Sequence, residues 1–145
     1  MSKAEKKILI VEARFYEEIA DALATGAGAK LSEAHYDFER LPVPGVFEIP
    51  SAIRLAWSTG IYAGIIALGC VIRGETDHYD HICREVSRKL MDLSVDYAMP
   101  HGFGILTCEN KDQAWERADK AQRNLGGRTA EACLRMIDIK TGFPE

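Results

Sequence analysis

Two stretches of this chain concentrate groups able to do chemistry. In the first, Gly74-Glu75-Thr76-Asp77 interrupts an apolar run and leads at once to His78. If a helix starts there, its first backbone N–H groups are unpaired and carry partial positive charge, which suits a phosphate. Gly74 would let the backbone approach such an anion closely. The same residues also read as a simple helix start, capped by Thr76 or Asp77. Neither G-x-x-x-x-G-K-[ST] nor G-x-G-x-x-G is present. His78 can shuttle a proton near neutral pH, or it can stand solvated in a first helical turn. The second stretch is Pro44-Gly45-Val46-Phe47-Glu48. A carboxylate beside an aromatic ring can receive hydroxyl or N–H donors from a polyol or a polar ring. Glu48 would equally suit the dipole of a helix beginning near Pro50. Arg117 stands beside Glu116 on a short amphipathic stretch, where a surface ion pair would be worth little. His78, His81 and Cys83 resemble metal ligands only at first. Cys83 is turned by about 200° from His81 on a helix, and zinc would need a further ligand from another segment. No metal is assigned.

These groups must be positioned by the elements between them. Ile8-Leu9-Ile10-Val11 reads as a strand buried on both faces. A helix is expected over Phe15 to Leu31, ending among Gly26 and Gly28. Tyr36 to Arg40 alternates like an edge strand, stopped by Pro42 and Pro44. Pro50 opens a helix with Ile53, Ala56 and Trp57 inward and Gly60 at its end. Ala63 to Ile72 is the strongest strand signal. A long helix follows, with Ile82, Val86, Leu90, Leu93 and Tyr97 on one stripe, closed by Pro100. Phe103 to Cys108 is the last strand. Asn110 and Gln113 resemble a capping box, and a terminal helix is expected over Thr129 to Ile139. Strands alternating with helices call for an α/β fold, a mostly parallel sheet with helices on both faces. Right-handed crossovers bring the strand ends to one edge, where ligands bind in such sheets. That edge gathers Arg14-Phe15, residues 44–48, Cys70 to His78 and Thr107-Cys108.

At 145 residues, 47% apolar and 28% charged, the chain makes one domain, residues 1–145, with a full core and little scope for disorder. The net charge of -4 and the absence of a Lys/Arg stripe argue against nucleic acid as a partner. No apolar run approaches the ~20 residues needed to span a bilayer, and Met1 to Lys7 has no apolar signal core. A cytoplasmic protein without a membrane partner is expected. Cys70, Cys83, Cys108 and Cys133 form no C-x-x-C pair and read as reduced thiols, mostly in the core.

Several segments, in order and spacing, resemble the 6,7-dimethyl-8-ribityllumazine synthase family: residues 44–50, residues 67–80, Phe103-Gly104-Ile105-Leu106-Thr107 and the helix Gln113 to Ala118. The resemblance covers almost the whole chain. It implies a three-layer, flavodoxin-like sandwich around a four-stranded parallel sheet. It also implies condensation of 5-amino-6-(D-ribitylamino)uracil with 3,4-dihydroxy-2-butanone 4-phosphate, the penultimate step of riboflavin biosynthesis, with no metal or organic cofactor. Carried over by position, Phe15 would stack on the pyrimidine. Val46, Phe47 and Glu48 would hold the ribityl arm and ring edge, and Cys70, Val71 and Ile72 would offer backbone groups. Glu75 and Thr76 would bind the phosphate, His78 would transfer protons, and Arg117 would pair with the phosphate. Phe103 would come from a neighbouring subunit of a homopentamer.

The chain departs from the family's pattern at Tyr16, Cys70, Glu75 and His101-Gly102. Residues 119–128 lack the compact K-A-G-N-K-G loop and read as a longer one carrying Arg123, Asn124 and Arg128. Such a loop, with the short basic start Met1 to Lys7, favours a free pentamer over an icosahedral shell of sixty chains. A non-catalytic flavin- or lumazine-binding relative would lack the proton-transfer and phosphate groups, yet His78, Thr76 and Arg117 are present. An FMN carrier would need Ser, Thr or Gly after the first strand, where Glu12-Ala13-Arg14-Phe15 stands.

Overall fold

The computed structural model describes residues 6–74 and 79–143. Four strands form one sheet: β1 (Lys7–Ala13), β2 (Phe38–Val43), β3 (Tyr62–Ile72) and β4 (His101–Cys108). All pairs are parallel, in the order β2-β1-β3-β4. The helices are α1 (Glu17–Glu33), α2 (Ile49–Trp57), α3 (Tyr79–Asp96), α4 (Lys111–Ala118) and α5 (Leu125–Thr141), with a single 3-10 turn at Val46–Glu48.

Side-chain alternation along β1 sorts the core into two layers. Ile8 and Ile10 meet Leu23, Ala27 and Leu31 of α1, Ala114 and Ala118 of α4, and Ala130, Cys133 and Ile137 of α5. Leu9, Val11 and Ala13 meet Ile49 and Ile53 of α2 and Val86, Leu90 and Leu93 of α3. This is the expected three-layer, flavodoxin-like sandwich. Cys70, Cys108 and Cys133 are buried, Cys83 is partly so, and none of the four is in a disulfide. Among the described residues, no helix is long and apolar enough to cross a membrane.

Several boundaries differ from those expected. Helix α1 does not end among Gly26 and Gly28 but runs on to Glu33. Its glycines serve close packing: a Cβ at Gly28 would lie 2.9 Å from the Phe38 ring, and one at Gly26 would collide with the Asn124 side chain. Strand β2 continues through Pro42 to Val43. Ile8 and Arg14 donate to the carbonyls of Asp37 and Val43. The odd residues of β2 therefore turn their backbone groups to β1, and Pro42 turns its missing N–H to the open edge. Asn110 caps α4 by accepting from the Gln113 N–H at 2.8 Å, while the Gln113 side chain accepts from the Glu109 N–H.

The largest correction concerns α5, which begins at Leu125 rather than Thr129. Gly126 and Gly127 look like loop residues, but they form its first turn, with Asn124 accepting from the Gly127 N–H. A Cβ at Gly126 would run into the Leu23 carbonyl of α1 and one at Gly127 into the capping Asn124 side chain, so the first glycine marks a helix–helix contact and the second makes room for the cap. The connection from α4 shrinks to 119–124, and Arg128 belongs to the helix.

Candidate active site

The chain moves outward in opposite directions from β1 and from β3, and open α/β sheets bind ligands in the crevice beyond the strand ends at such a point. One feature of β3 shapes this crevice. Its pairing with β1 extends to Glu12 opposite Leu68, whereas its pairing with β4 continues to Ile72 opposite Cys108. Cys70, Val71 and Ile72 thus project past the end of β1, and their β1-side edge borders the crevice. Gly69, at the base of this overhang, lets the 3-10 turn settle against β3. A Cβ there would lie 2.7 Å from Val46 Cγ1 and 3.2 Å from the Ala13 Cβ.

Val46 is buried under the turn, while Phe47 is about half exposed. The Glu48 carboxylate folds back, its Oε1 accepting from the Gly45 N–H at 2.9 Å. Pro50 occupies the first turn of α2, so Glu48 stands at the helix start, as its residue type suits. Phe15 follows β1 and is 70% exposed, its ring edge-on to Tyr16 at 4.9 Å between centroids. Beyond β3, Gly74 has φ +83, a left-handed conformation natural to glycine. Glu75, Thr76 and His78 lie outside the described residues.

Two expected residues sit apart from this cluster. Phe103 is partly exposed and pairs opposite Ala67, about 10 Å below Cys70 along the strand direction. Its chain's own crevice is out of reach, so any role for it requires a neighbour. Arg117 does not pair with the adjacent Glu116, which faces Arg123 at 3.9 Å. It turns inward, with Nη1 donating to Cys108 Sγ at 3.5 Å. Burial pushes the Cys108 thiol up despite the nearby Arg117 charge, so the thiol stays neutral and leaves that charge uncompensated by this contact.

Three further groups, to which the sequence assigned no role, stand at this end of the sheet. Glu12, at the end of an otherwise apolar strand, is nearly inaccessible and is gripped by Arg14 and Arg40. A lone carboxylate in a buried strand was the available signal. Arg73 ties the end of β3 to Glu109 at 3.2 Å and to Asp80 at 3.5 Å, and lies 4.4 Å from the centroid of the Tyr79 ring. His81 approaches Phe47 with 5.9 Å between centroids. Among the described residues, no group of three His, Cys, Asp or Glu side chains could hold a metal. A groove lined by Tyr36, Trp57, Tyr62, Met99 and Lys140 opens at the opposite end of the sheet and includes none of these residues.

A family model described as 6,7-dimethyl-8-ribityllumazine synthase matches residues 5–141. Curated relatives carry the same name. One from Bartonella tribocorum is 50% identical, the alignment covering 99% of this chain and 97% of the relative. One from Paramagnetospirillum magneticum is 46% identical over 92% and 94%. One from Agrobacterium fabrum is 49% identical over 92% and 93%.

Proposed function

Because the chain belongs to the 6,7-dimethyl-8-ribityllumazine synthase family, transferases of riboflavin biosynthesis, we propose that it joins 5-amino-6-(D-ribitylamino)uracil to 3,4-dihydroxy-2-butanone 4-phosphate. The products are the lumazine, phosphate and water, and the step is the penultimate one of the pathway. The observation that supports this most is the overhang of β3. It leaves one backbone edge of Cys70, Val71 and Ile72 beside an exposed aromatic and a fixed carboxylate. A flat, polar ring with a polyhydroxyl arm needs those three kinds of partner.

In this reading Phe15 stacks on the pyrimidine, while Val46, Phe47 and Glu48 receive the ribityl arm and ring edge. Glu75 and Thr76 bind the butanone phosphate, largely through backbone N–H groups, since the Glu75 carboxylate would repel the anion. Arg117 turns to the same phosphate, exchanging a weak thiol contact for a charge-assisted one. The substrate amine attacks the ketone to give an imine, phosphate leaves, and the ribitylamino nitrogen closes the second ring. No covalent enzyme intermediate is needed, nor any metal or organic cofactor. The protein orients the substrates, and His78 moves protons. A bound phosphate dianion would raise the pKa of that histidine and keep it available as an acid.

Phe103 completes the site of the next subunit, which requires a ring, and the chain acts as a cytoplasmic homopentamer. The compact 119–124 connection offers no steric bar to a larger shell, but packing it would still desolvate Lys120 and Arg123, so the free pentamer is favoured. Purified protein given both substrates should develop the fluorescence of the lumazine. Tight lumazine binding without turnover would mark a non-catalytic relative and overturn the proposal. Native mass spectrometry should show five chains; a particle of sixty, or an active monomer, would refute the assembly.

A further inference from the structure

The geometry points to Glu12 as a positioning residue for the pyrimidine site: it holds Arg14, and through Arg14 the turn that carries Phe15. The inference rests on the ring-stacking role proposed for Phe15. Glu12 is the penultimate residue of β1 and only 2% exposed. Arg40 of β2 grips its carboxylate in a fork, Nε to Oε2 and Nη2 to Oε1, both at 2.7 Å. Arg14 Nη1 adds a third bond to Oε1 at 2.8 Å. The other arm of Arg14, Nη2, reaches Asp21 in the second turn of α1 at 2.8 Å, and Asp21 also lies 3.8 Å from Arg40. Two guanidiniums and two carboxylates therefore close a network with no net charge.

Stability alone is a poor reason for a carboxylate at this position. The same face of β1 is otherwise built from Ile8 and Ile10, and a buried ion pair is often no more stabilising than a well-packed apolar group. What the carboxylate adds is direction. Between β1 and α1 lie only Arg14, Phe15 and Tyr16. Tyr16, the residue before the helix, makes no side-chain capping bond, so the usual device that fixes a helix entry is missing. The Arg14 fork replaces it, bridging the strand on one side and the second helical turn on the other. Its backbone N–H also donates to Val43 at 2.9 Å. Phe15, the next residue, projects into solvent from a backbone held in this way. An exposed ring whose base is fixed can stack without first being ordered, the preorganisation on which affinity depends.

Glu12→Gln keeps the shape of the side chain and removes its charge. Asp21→Asn acts on a largely exposed group and frees the second arm of Arg14 without disturbing the core. In steady-state assays both variants should raise KM for ribitylaminouracil, Glu12→Gln by about tenfold, well inside the ~100-fold that a 1 Å misplacement can cost. KM for butanone phosphate and kcat should hold. In a Phe15→Ala background neither substitution should raise KM further. An equal rise in both KM values, or an effect that persists without Phe15, overturns the inference. Amide hydrogen exchange separates it from the proposed reaction. Residues 15–18 should exchange faster in both variants while the remainder of β1 and α1 is unchanged. Unaltered exchange there overturns the positioning role whether or not lumazine is made. Absence of lumazine from the unmodified protein overturns the reaction alone. Should Glu12→Gln fail to fold, Asp21→Asn decides the outcome.

Discussion

Replacing Gly69 by alanine tests whether the 3-10 turn and β3 act as one unit. The new methyl carbon would lie 2.7 Å from Val46 Cγ1, 3.2 Å from the Ala13 Cβ and 3.7 Å from Ile49 Cδ1. Carbon pairs prefer about 3.5–4.0 Å, so Val46 must retreat by roughly 1 Å. Ile49 beneath it is fully buried, and a valine has few rotamers to try. The turn itself must therefore move. Overpacking of this kind costs about 1–3 kcal/mol, offset by about 0.4–1 kcal/mol from the stiffer unfolded chain. The net loss should be about 1–2 kcal/mol, lowering Tm by roughly 2–8 °C. Displacing Phe47 and Glu48 by ~1 Å should cost 10–100-fold in kcat/KM. Urea denaturation gives the first quantity and lumazine fluorescence the second. Val46→Ala in the same chain removes the clashing methyl, so the double variant should be more stable than the two single losses predict. Lost stability with full activity would place the turn outside the site. No loss of either would show that the close approach at Gly69 is slack.

His78→Ala should lower turnover by ~10²–10³-fold with substrate binding largely kept, the usual size of general acid–base assistance; unmodified rates would refute its role. Arg117→Ala should weaken butanone phosphate by roughly 10- to 150-fold, since a charge-assisted bond contributes about 1.5–3 kcal/mol. A selective loss of pyrimidine binding would show that Arg117 belongs elsewhere. His101 makes stability depend on pH. Among the described residues its Nε2 is buried without a hydrogen-bond partner, and burial lowers its pKa to about 4. The unfolded chain takes up that proton near pH 6.5, so the stabilising contribution is complete above pH 6.5 and is lost progressively as pH falls toward 4. Between pH 7 and pH 5 the loss should reach about 2 kcal/mol, read from urea midpoints, and His101→Leu should abolish it. An unchanged slope in that variant would refute the assignment.

Much of the fold was written in local pattern. The apolar runs at 8–11 and 63–72 read as strands covered on both faces, and the alternation of strands with helices called for parallel pairing. The turn at 44–48 and the break at Gly74 were legible because proline and glycine are strong local punctuation between patterned segments. Other features depended on contacts between distant segments. Gly26, Gly28, Gly126 and Gly127 look like helix breakers in sequence, yet the first three permit close packing of α1 against β2 and the start of α5, and Gly127 leaves room for the Asn124 cap. A glycine that ends a helix and one that admits a neighbour are the same letter. Glu12 gains its partner from Arg40, on a different strand. Arg117 abandons the adjacent Glu116 for a thiol on β4. Phe103 proved to be far from its own crevice only once β3 and β4 were in register. Periodicity reports which face of an element is buried. What that face meets, and how far one strand outruns the next to leave Cys70, Val71 and Ile72 beside the crevice, is decided when the layers close on one another.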